Sequence, residues 1–223
     1  MKITYDAIDK ALNLITSKVK FDNLGTPVVV FNSLAWERID MVELNLKEFS
    51  LPPQSIFIKD DSGNTIPSQI SGDKVIFLAK VPSFGYKTYY LSEGRQKDVN
   101  SSILTESSGK LENQFFTIQI DLDSGCIKSL FDKVAKREVF SSYSQGNLFQ
   151  VLFEKPHFMS SWQIGPISKI ENLITGANIE VIESGPVRAT IRIIRRFNKS
   201  SISQDISIYR DIPRIDFKTE VDW

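Results

Sequence analysis

Residues 111–140, LENQFFTIQIDLDSGCIKSLFDKVAKREVF, decide the fold. Apolar and polar side chains alternate from residue 116 to 120, which places the apolar ones on one face of a β-strand. Residues 121–125, DLDSG, are typical of a tight turn, and a second apolar run follows at 126–131. The pattern predicts a β-hairpin, which a short strand at residues 138–140 extends to a meander.

The chain after this stretch repeats the same strand pattern. The alternation is clearest at residues 215–223, where one face is predicted to be buried. That face carries Ile215, Phe217, Thr219, Val221 and Trp223, and the other carries Asp216, Lys218, Glu220 and Asp222. The whole of residues 111–223 therefore predicts a larger antiparallel β-sandwich. Its further strands are predicted at residues 148–153, 179–183, 187–197 and 202–209.

The chain before residue 111 divides into three parts. Residues 23–92 predict a small β-sandwich, because short apolar strands alternate with turn clusters. Residues 93–110 contain almost no apolar side chains and predict a linker. Residues 1–22 predict an amphipathic helix with Thr4 as its N-cap, and its apolar face needs a surface to pack on. The strands of the small sandwich are predicted at residues 28–31, 41–46, 55–58, 66–70, 75–79 and 86–91.

Composition restricts the class of protein. The 223 residues are 41% hydrophobic and 24% charged, as in ordinary globular domains, and the charges balance at 27 of each sign. A neutral chain favours neither nucleic acid nor an acidic partner. We find no apolar stretch of membrane-spanning length and no signal peptide, and Cys126 is the single cysteine. The expectation is a cytoplasmic protein without a membrane or nucleic-acid partner.

Few residues are suited to catalysis. His157 is the single histidine and lacks the spacing of a metal motif, so a loop histidine is the simpler interpretation. Cys126 lies in an apolar strand and is interpreted as a buried thiol. Glycoside hydrolysis needs two carboxyl groups. Carboxyl groups cluster at two places in this sequence, but each cluster is explained equally well by a structural role. That role is the capping of a turn, or pairing with Arg188, Arg192 and Arg196 on another strand. The clustered carboxyls are Asp121 with Asp123, and Asp216 with Glu220 and Asp222. The prediction is therefore no catalytic and no metal-binding residue in this chain.

Two tryptophans could stack on a sugar ring. Trp36 follows a strand, whereas Trp162 lies in the predicted loop at residues 155–165, which is the more exposed context. Trp162 is therefore the candidate carbohydrate-contact residue, although most tryptophans in sandwich domains belong to the core or to an interface.

Three segments resemble one known family. Residues 111–133, LENQFFTIQIDLDSGCIKSLFDK, resemble the opening of the large C-terminal β-domain of glycoside hydrolase family 38, the α-mannosidases. Residues 184–223, with GPVRA and PRIDFKTEVDW, are similar to a later part of that domain. Residues 28–36, VVVFNSLAW, resemble the start of the small β-domain that precedes it. The resemblance implies a supersandwich like that of galactose mutarotase for the larger region, and it makes the helix the remnant of a helical bundle.

The resemblance also implies where the chemistry resides. In the family, a zinc ion, an aspartate nucleophile and an acid/base residue lie in an N-terminal barrel, and terminal α-mannosides are hydrolysed with retention. No counterpart of that barrel is present, so none of these roles transfers to a residue here. The family's acidic motif around the tryptophan is replaced by SSWQIG at residues 160–165.

The expectation is a fragment of a mannose-metabolising glycoside hydrolase, with both ends cut. Its partners would be the catalytic barrel and the remaining β-domain, with mannosides and a second copy of the chain as further possibilities. A free-standing carbohydrate-binding module is the alternative function. A mutarotase-like epimerase is disfavoured, because it needs catalytic histidines that one histidine does not supply.

Overall fold

The computed structural model describes residues 2–22, 24–49, 56–94, 104–107, 109–141, 143–159 and 161–223. The chain divides into two compact units, residues 1–100 and residues 101–223, and each unit has its own apolar core. The described elements are one α-helix, one 3-10 turn and strands in antiparallel sheets, which confirms the predicted mainly-β fold with an N-terminal helix. The division into four segments that the sequence suggested stays a prediction.

The first unit is a small sandwich of two antiparallel sheets. One sheet has the strand order β1-β7-β3-β4 and the other has the order β2-β6-β5. The strands are β1 (Thr26–Asn32), β2 (Arg38–Asn45), β3 (Ile56–Lys59), β4 (Thr65–Ile66), β5 (Ser68–Ser71), β6 (Lys74–Val81) and β7 (Gly85–Glu93), and a 3-10 turn spans Leu46–Phe49. Their alternate apolar residues meet in one core, which includes Ile58, Val75, Phe77, Ala79, Tyr89 and Leu91.

One predicted strand of this unit is divided. Residues 66–70 were expected to form a single strand, but β4 ends at Ile66 and β5 begins at Ser68. Pro67 separates the two strands, because proline has no N–H to donate to a ladder.

Helix α1 spans Lys2–Thr16. The prediction of Thr4 as the N-cap is wrong, because Thr4 lies inside the helix, whereas a capping residue has a non-helical backbone. The predicted apolar face forms but is largely open to solvent, and Ile8 and Ile15 are 47% and 45% exposed.

The second unit contains two larger sheets and a separate hairpin. One sheet has the order β12-β11-β10-β9-β8, the other has the order β15-β16-β17-β18, and β13 pairs with β14. The strands are β8 (Leu104–Ser107), β9 (Lys110–Glu112), β10 (Phe116–Ile120), β11 (Ile127–Asp132), β12 (Arg137–Glu138), β13 (Gln150–Glu154), β14 (Ile167–Asn172), β15 (Asn178–Ser184), β16 (Arg188–Phe197), β17 (Ser200–Tyr209) and β18 (Ile215–Asp222). Strand β8 lies within the predicted linker at residues 93–110 and pairs with β9. Residues 95–103 and 108 lie outside the described part.

The stretch that decides the fold forms the predicted meander. β10 and β11 pair antiparallel from Phe116 opposite Asp132 to Ile120 opposite Ile127, and β12 continues on β11. The buried faces of β9, β10 and β11 pack on those of β16 and β17. This core consists of Leu111, Ile118, Ile120, Ile127, Ala189, Ile191, Ile193, Ile206 and Ile208.

Strand β18 departs from the prediction. Its apolar face was expected to be buried, but Phe217, Val221 and Trp223 are 45%, 54% and 79% exposed. β18 is the edge strand of its sheet. The strands of the opposite sheet that supply the core pack on β16 and β17, so β18 contributes only the partly buried Ile215. The ring of Trp223 stacks on that of Phe197, with centroids 6.4 Å apart.

In the described part of the chain, we find no helix with the length and apolar character to span a bilayer.

Candidate functional site

The candidate site is the loop that joins β13 to β14. Trp162 lies in this loop with 87% of its surface exposed, more than the 61% of Trp36. Phe158 and Ile164 are 96% and 75% exposed in the same loop. These three large apolar side chains, and Met159 to a lesser extent, are therefore open to solvent. The role of Trp162 as a sugar contact stays a prediction.

Hydrogen bonds close the base of this loop. The Oε1 atom of Glu154, at the end of β13, accepts from the Nε2–H of His157 at 2.5 Å and from the backbone N–H of Gly165. The hydrogen bond from Gly165, followed by that from His157, lowers the pKa of Glu154 below its usual value. The backbone N–H of Lys155 donates to the Pro166 carbonyl at 3.0 Å and continues the hairpin. His157 is thus a loop histidine that is tied to the hairpin base.

In the first carboxylate pair, the carboxylate of Asp121 has a structural role. Asp121 Oδ1 accepts from the backbone N–H and the hydroxyl of Ser124, both at 2.9 Å, and from the N–H of Asp123 at 3.2 Å. These hydrogen bonds, with the backbone bond from Ser124 as the largest contribution, hold the pKa of Asp121 below its usual range. Asp121 therefore caps the turn between β10 and β11, as the structural interpretation of the sequence expected.

In the second carboxylate set, Asp216 and Glu220 are also paired. Asp216 accepts from the Tyr209 hydroxyl at 2.6 Å and lies 2.8 Å from Arg214, and Glu220 lies 2.7 Å from Lys218. Hydrogen bonding to Lys218 lowers the pKa of Glu220.

Arg188 and Arg192 of β16 form ion pairs with acids of the neighbouring strands β15 and β17, and the charge of Arg192 also interacts with that of Glu220 on β18. β17 lies between β16 and β18, so Arg192 binds Asp205 of β17 through two bonds of 2.7 and 2.8 Å. Arg188 binds Glu183 of β15 at 2.5 Å.

Sequence reasoning missed one buried charge, Arg195. The side chain is 2% exposed, its Nε–H donates to the Ser124 carbonyl at 3.2 Å, and its guanidinium lies 4.9 Å from the centre of the Phe149 ring. Burial lowers its pKa, an effect that Cys126 partly opposes. Alternation along β16 was the available signal, because residue 195 continues the buried face of Ile191 and Ile193. Cys126 itself is a free, fully buried thiol.

The donor set of the described residues does not fit a zinc site. No three His, Cys, Asp or Glu side chains come together there in a group that could hold a metal ion. Both ring nitrogens of His157 are engaged, Nε2 with Glu154 and Nδ1 as the acceptor of the Met159 N–H at 3.3 Å. A structural zinc ion takes four protein ligands and a catalytic one takes three, so Glu154 and His157 alone are too few to bind zinc.

Comparison with known proteins gives consistent matches. Residues 111–223 match the family model of the glycosyl hydrolases family 38 C-terminal domain. Alpha-mannosidase G of Dictyostelium discoideum is 25% identical over 215 residues, which are 88% of this chain and 19% of that protein. Lysosomal alpha-mannosidase of the same organism is 26% identical over 137 residues, or 50% of this chain and 13% of that protein.

The fold also matches a solved structure. The crystal structure of an alpha-mannosidase from Enterococcus faecalis V583 superposes with a TM-score of 0.73 at 14% identity. The match covers 96% of this chain and 32% of that structure. The chain thus shares the fold of about a third of that protein and spans less than a fifth of Alpha-mannosidase G.

Proposed function

The chain belongs to glycosyl hydrolase family 38, and we propose that it acts there as a non-catalytic β-domain portion that supports a catalytic barrel elsewhere in its parent protein. One observation carries the proposal. Nearly the whole chain, 96%, superposes on an alpha-mannosidase, but on only 32% of it, and the matched family model is that of the C-terminal domain. In this proposal the parent hydrolyses terminal α-mannosides with retention, and the zinc ion and the reacting carboxyl groups belong to the barrel.

The state of the carboxyl groups supports the same assignment. Retaining glycosidases need a nucleophile and an acid about 5 Å apart, both directed at the substrate. Here Asp121 caps a turn, Asp216 is bound by Tyr209 and Arg214, and Glu220 faces Lys218. Using any of them on a sugar would break contacts that stabilise the sandwich.

Two experiments test the proposal. We expect the purified chain to show no turnover of 4-nitrophenyl α-mannoside, with or without added zinc, and turnover that co-purifies with the chain would overturn the proposal. Sequencing the DNA on both sides of this reading frame should show a barrel-coding region beside it. A gene that encodes these β-domains with no barrel nearby would contradict the scaffold role.

The exposure of Trp162 favours one alternative, a carbohydrate-binding module. A flat aromatic ring that is 87% exposed is suited to the apolar face of a pyranose. Calorimetric titration with mannose oligosaccharides separates the two functions, because the scaffold proposal predicts no heat of binding. The module would release heat that Trp162→Ala abolishes and Trp36→Ala preserves. The second substitution is the matched control, since Trp36 is also exposed but lies in the first unit.

A further inference from the structure

We propose that Glu154 is a positioning residue that, with His157 and Gly165, locks the base of the 155–165 loop and so holds Trp162 in one place on the molecule. The inference concerns the order of the loop and goes beyond the scaffold function. It stands whether Trp162 meets a sugar or another part of the parent protein.

The first support is the convergence of hydrogen bonds on one atom. Glu154 Oε1 accepts from both ends of the loop, from His157 near its start and from Gly165 at its close. Hydrogen bonds to an ionised carboxylate are about twice as strong as those between neutral groups. The side chains of Glu154 and His157 are only 27% and 20% exposed, so water competes weakly for these bonds. One carboxylate thus joins two segments that are 8 residues apart in sequence.

The second support is the state of the imidazole. The N–H of Met159 donates to His157 Nδ1 at 3.3 Å, and this contact assigns Nδ1 as the acceptor and Nε2 as the donor to Glu154. His157 therefore links the hydrogen bonds at the base of the loop to the backbone of Met159, which lies nearer the tip. At the tip, the Met159 carbonyl accepts from the backbone N–H groups of Trp162 and Gln163, both at 2.9 Å. The chain of contacts reaches the tryptophan itself.

The third support is steric. A Cβ at position 165 would lie 2.6 Å from His157 Cδ2, 2.7 Å from His157 Nε2 and 3.1 Å from Glu154 Oε1. Real Cβ atoms do not approach other heavy atoms as closely as the two shorter distances. Glycine at 165 thus leaves room for the imidazole, and any side chain at this position would have to displace His157 from its place beside Glu154.

A locked base explains how the loop exposes apolar side chains without collapsing. Phe158, Trp162 and Ile164 would gain by folding back onto the protein, since burying each is favourable by about 1.5–3 kcal/mol. A loop held in one conformation also loses less conformational entropy when its tip meets a partner. The lock therefore prepares the tip for contact.

Amide hydrogen exchange on the ¹⁵N-labelled chain tests the proposal. In Glu154→Ala, exchange at the Gly165 amide should rise by about tenfold or more, because its acceptor is removed. Glu154→Gln keeps an oxygen acceptor and should rescue most of the protection, with a rise of no more than about threefold. Glu171→Ala is the matched control, because this β14 carboxylate pairs with Lys169 on the same hairpin but away from the loop. It should change Gly165 exchange by less than about twofold.

Fluorescence anisotropy of Trp162 supplies a readout that a merely structural role would not move. In a chain with Trp36→Phe and Trp223→Phe, Trp162 is the only tryptophan. Its anisotropy should fall in the Glu154→Ala variant and stay unchanged in the Glu171→Ala variant, when both are measured in buffer without urea, where they are folded. Equal anisotropy and equal Gly165 exchange in Glu154→Ala and Glu171→Ala would overturn the proposal. If Glu154→Ala fails to fold, His157→Ala provides the same test. It removes the acceptor of the Met159 amide, whose exchange must then rise, and unchanged exchange there would equally overturn the lock.

Discussion

Replacement of Gly125 by alanine tests how the turn of the central hairpin is packed. Gly125 has a φ of +68°, in the left-handed region that glycine adopts without strain. A Cβ at this position would lie 2.6 Å from Ile193 Cγ2, 2.8 Å from Arg195 Nη2 and 3.0 Å from Ala177 Cβ. Alanine at position 125 therefore has a backbone cost and a packing cost at once. Alanine at position 176 has the backbone cost alone, so Gly176→Ala is the matched control. Gly176 has nearly the same φ, +70°, and an added Cβ there would meet no atom within 4 Å.

The two costs have different magnitudes. A left-handed conformation costs an L-residue about 1–2 kcal/mol. Overpacking a filled core costs about 1–3 kcal/mol more, and Ile193 and Arg195 are 0% and 2% exposed, so neither has space to move into. We expect Gly125→Ala to lower the free energy of unfolding by about 2–5 kcal/mol, and Gly176→Ala to lower it by the backbone cost alone.

Urea unfolding measures this difference. In a Trp36→Phe background, the remaining tryptophans, Trp162 and Trp223, both lie in the second unit and report on its unfolding. The midpoint should fall further for Gly125→Ala than for Gly176→Ala, at equal slope. Equal midpoints for the two variants would refute the argument that the turn is packed against the sheet of β16.

Two further predictions use ionisable groups. The pKa of Glu112 is lowered to about 2 by hydrogen bonds from Lys110 and then Lys133. The stabilising effect of the Glu112 carboxylate is therefore present above pH 4.5 and lost as the pH falls through about 2. Glu112→Gln should lower the free energy of unfolding by about 1 kcal/mol at pH 7, and it should make that free energy fall less steeply as the pH is lowered below 4.5. Burial, followed by the hydrogen bond to Asp216, raises the pKa of Tyr209 to about 12. The stabilisation by the neutral Tyr209 hydroxyl is present below pH 10 and lost as the pH rises through about 12. Tyr209→Phe should lower the free energy of urea unfolding by about 1–2 kcal/mol. It should also remove a step near pH 12 from the ultraviolet titration of the phenolates.

Local patterns made the central hairpin predictable. The alternation in residues 116–120 and the turn residues that follow depend on neighbours in sequence, and the structure places β10, the turn and β11 where those patterns indicated. Asp121 caps the turn through contacts no more than three residues away. The division at Pro67 was also readable in principle, because a proline cannot donate to the ladder. Interactions of short range in sequence are those that the sequence alone reveals.

Long-range order was not readable in the same way. Alternation in β18 showed which side chains share a face, but whether Phe217 is covered depends on what lies opposite an edge strand. Asp205 was not foreseen as the hydrogen-bonded partner of Arg192, because the sequence of one strand does not reveal which strand lies beside it. The same holds for the base of the candidate site, where Glu154, His157 and Gly165 meet only because β13 and β14 pair. Gly165 was the feature of the sequence that could have indicated this contact, although a glycine at this position is explained only by the imidazole of His157 beside it.

The direction of the carboxyl pKa shifts bears on whether this chain can perform acid catalysis. A general acid at neutral pH needs a carboxyl pKa that its surroundings raise, by burial or by a nearby like charge. In the described part of the chain, every carboxyl group with a clear shift has its pKa lowered, because hydrogen-bond donors or cations stabilise the ionised form. These groups are Asp60, Asp73, Glu112, Asp121, Glu138, Glu154 and Glu220. Such carboxylates stabilise turns, hairpins and strand pairs in their charged form, and the interactions that do so oppose proton donation to a glycosidic oxygen. These seven carboxyl groups are therefore poor candidates for a general acid at neutral pH.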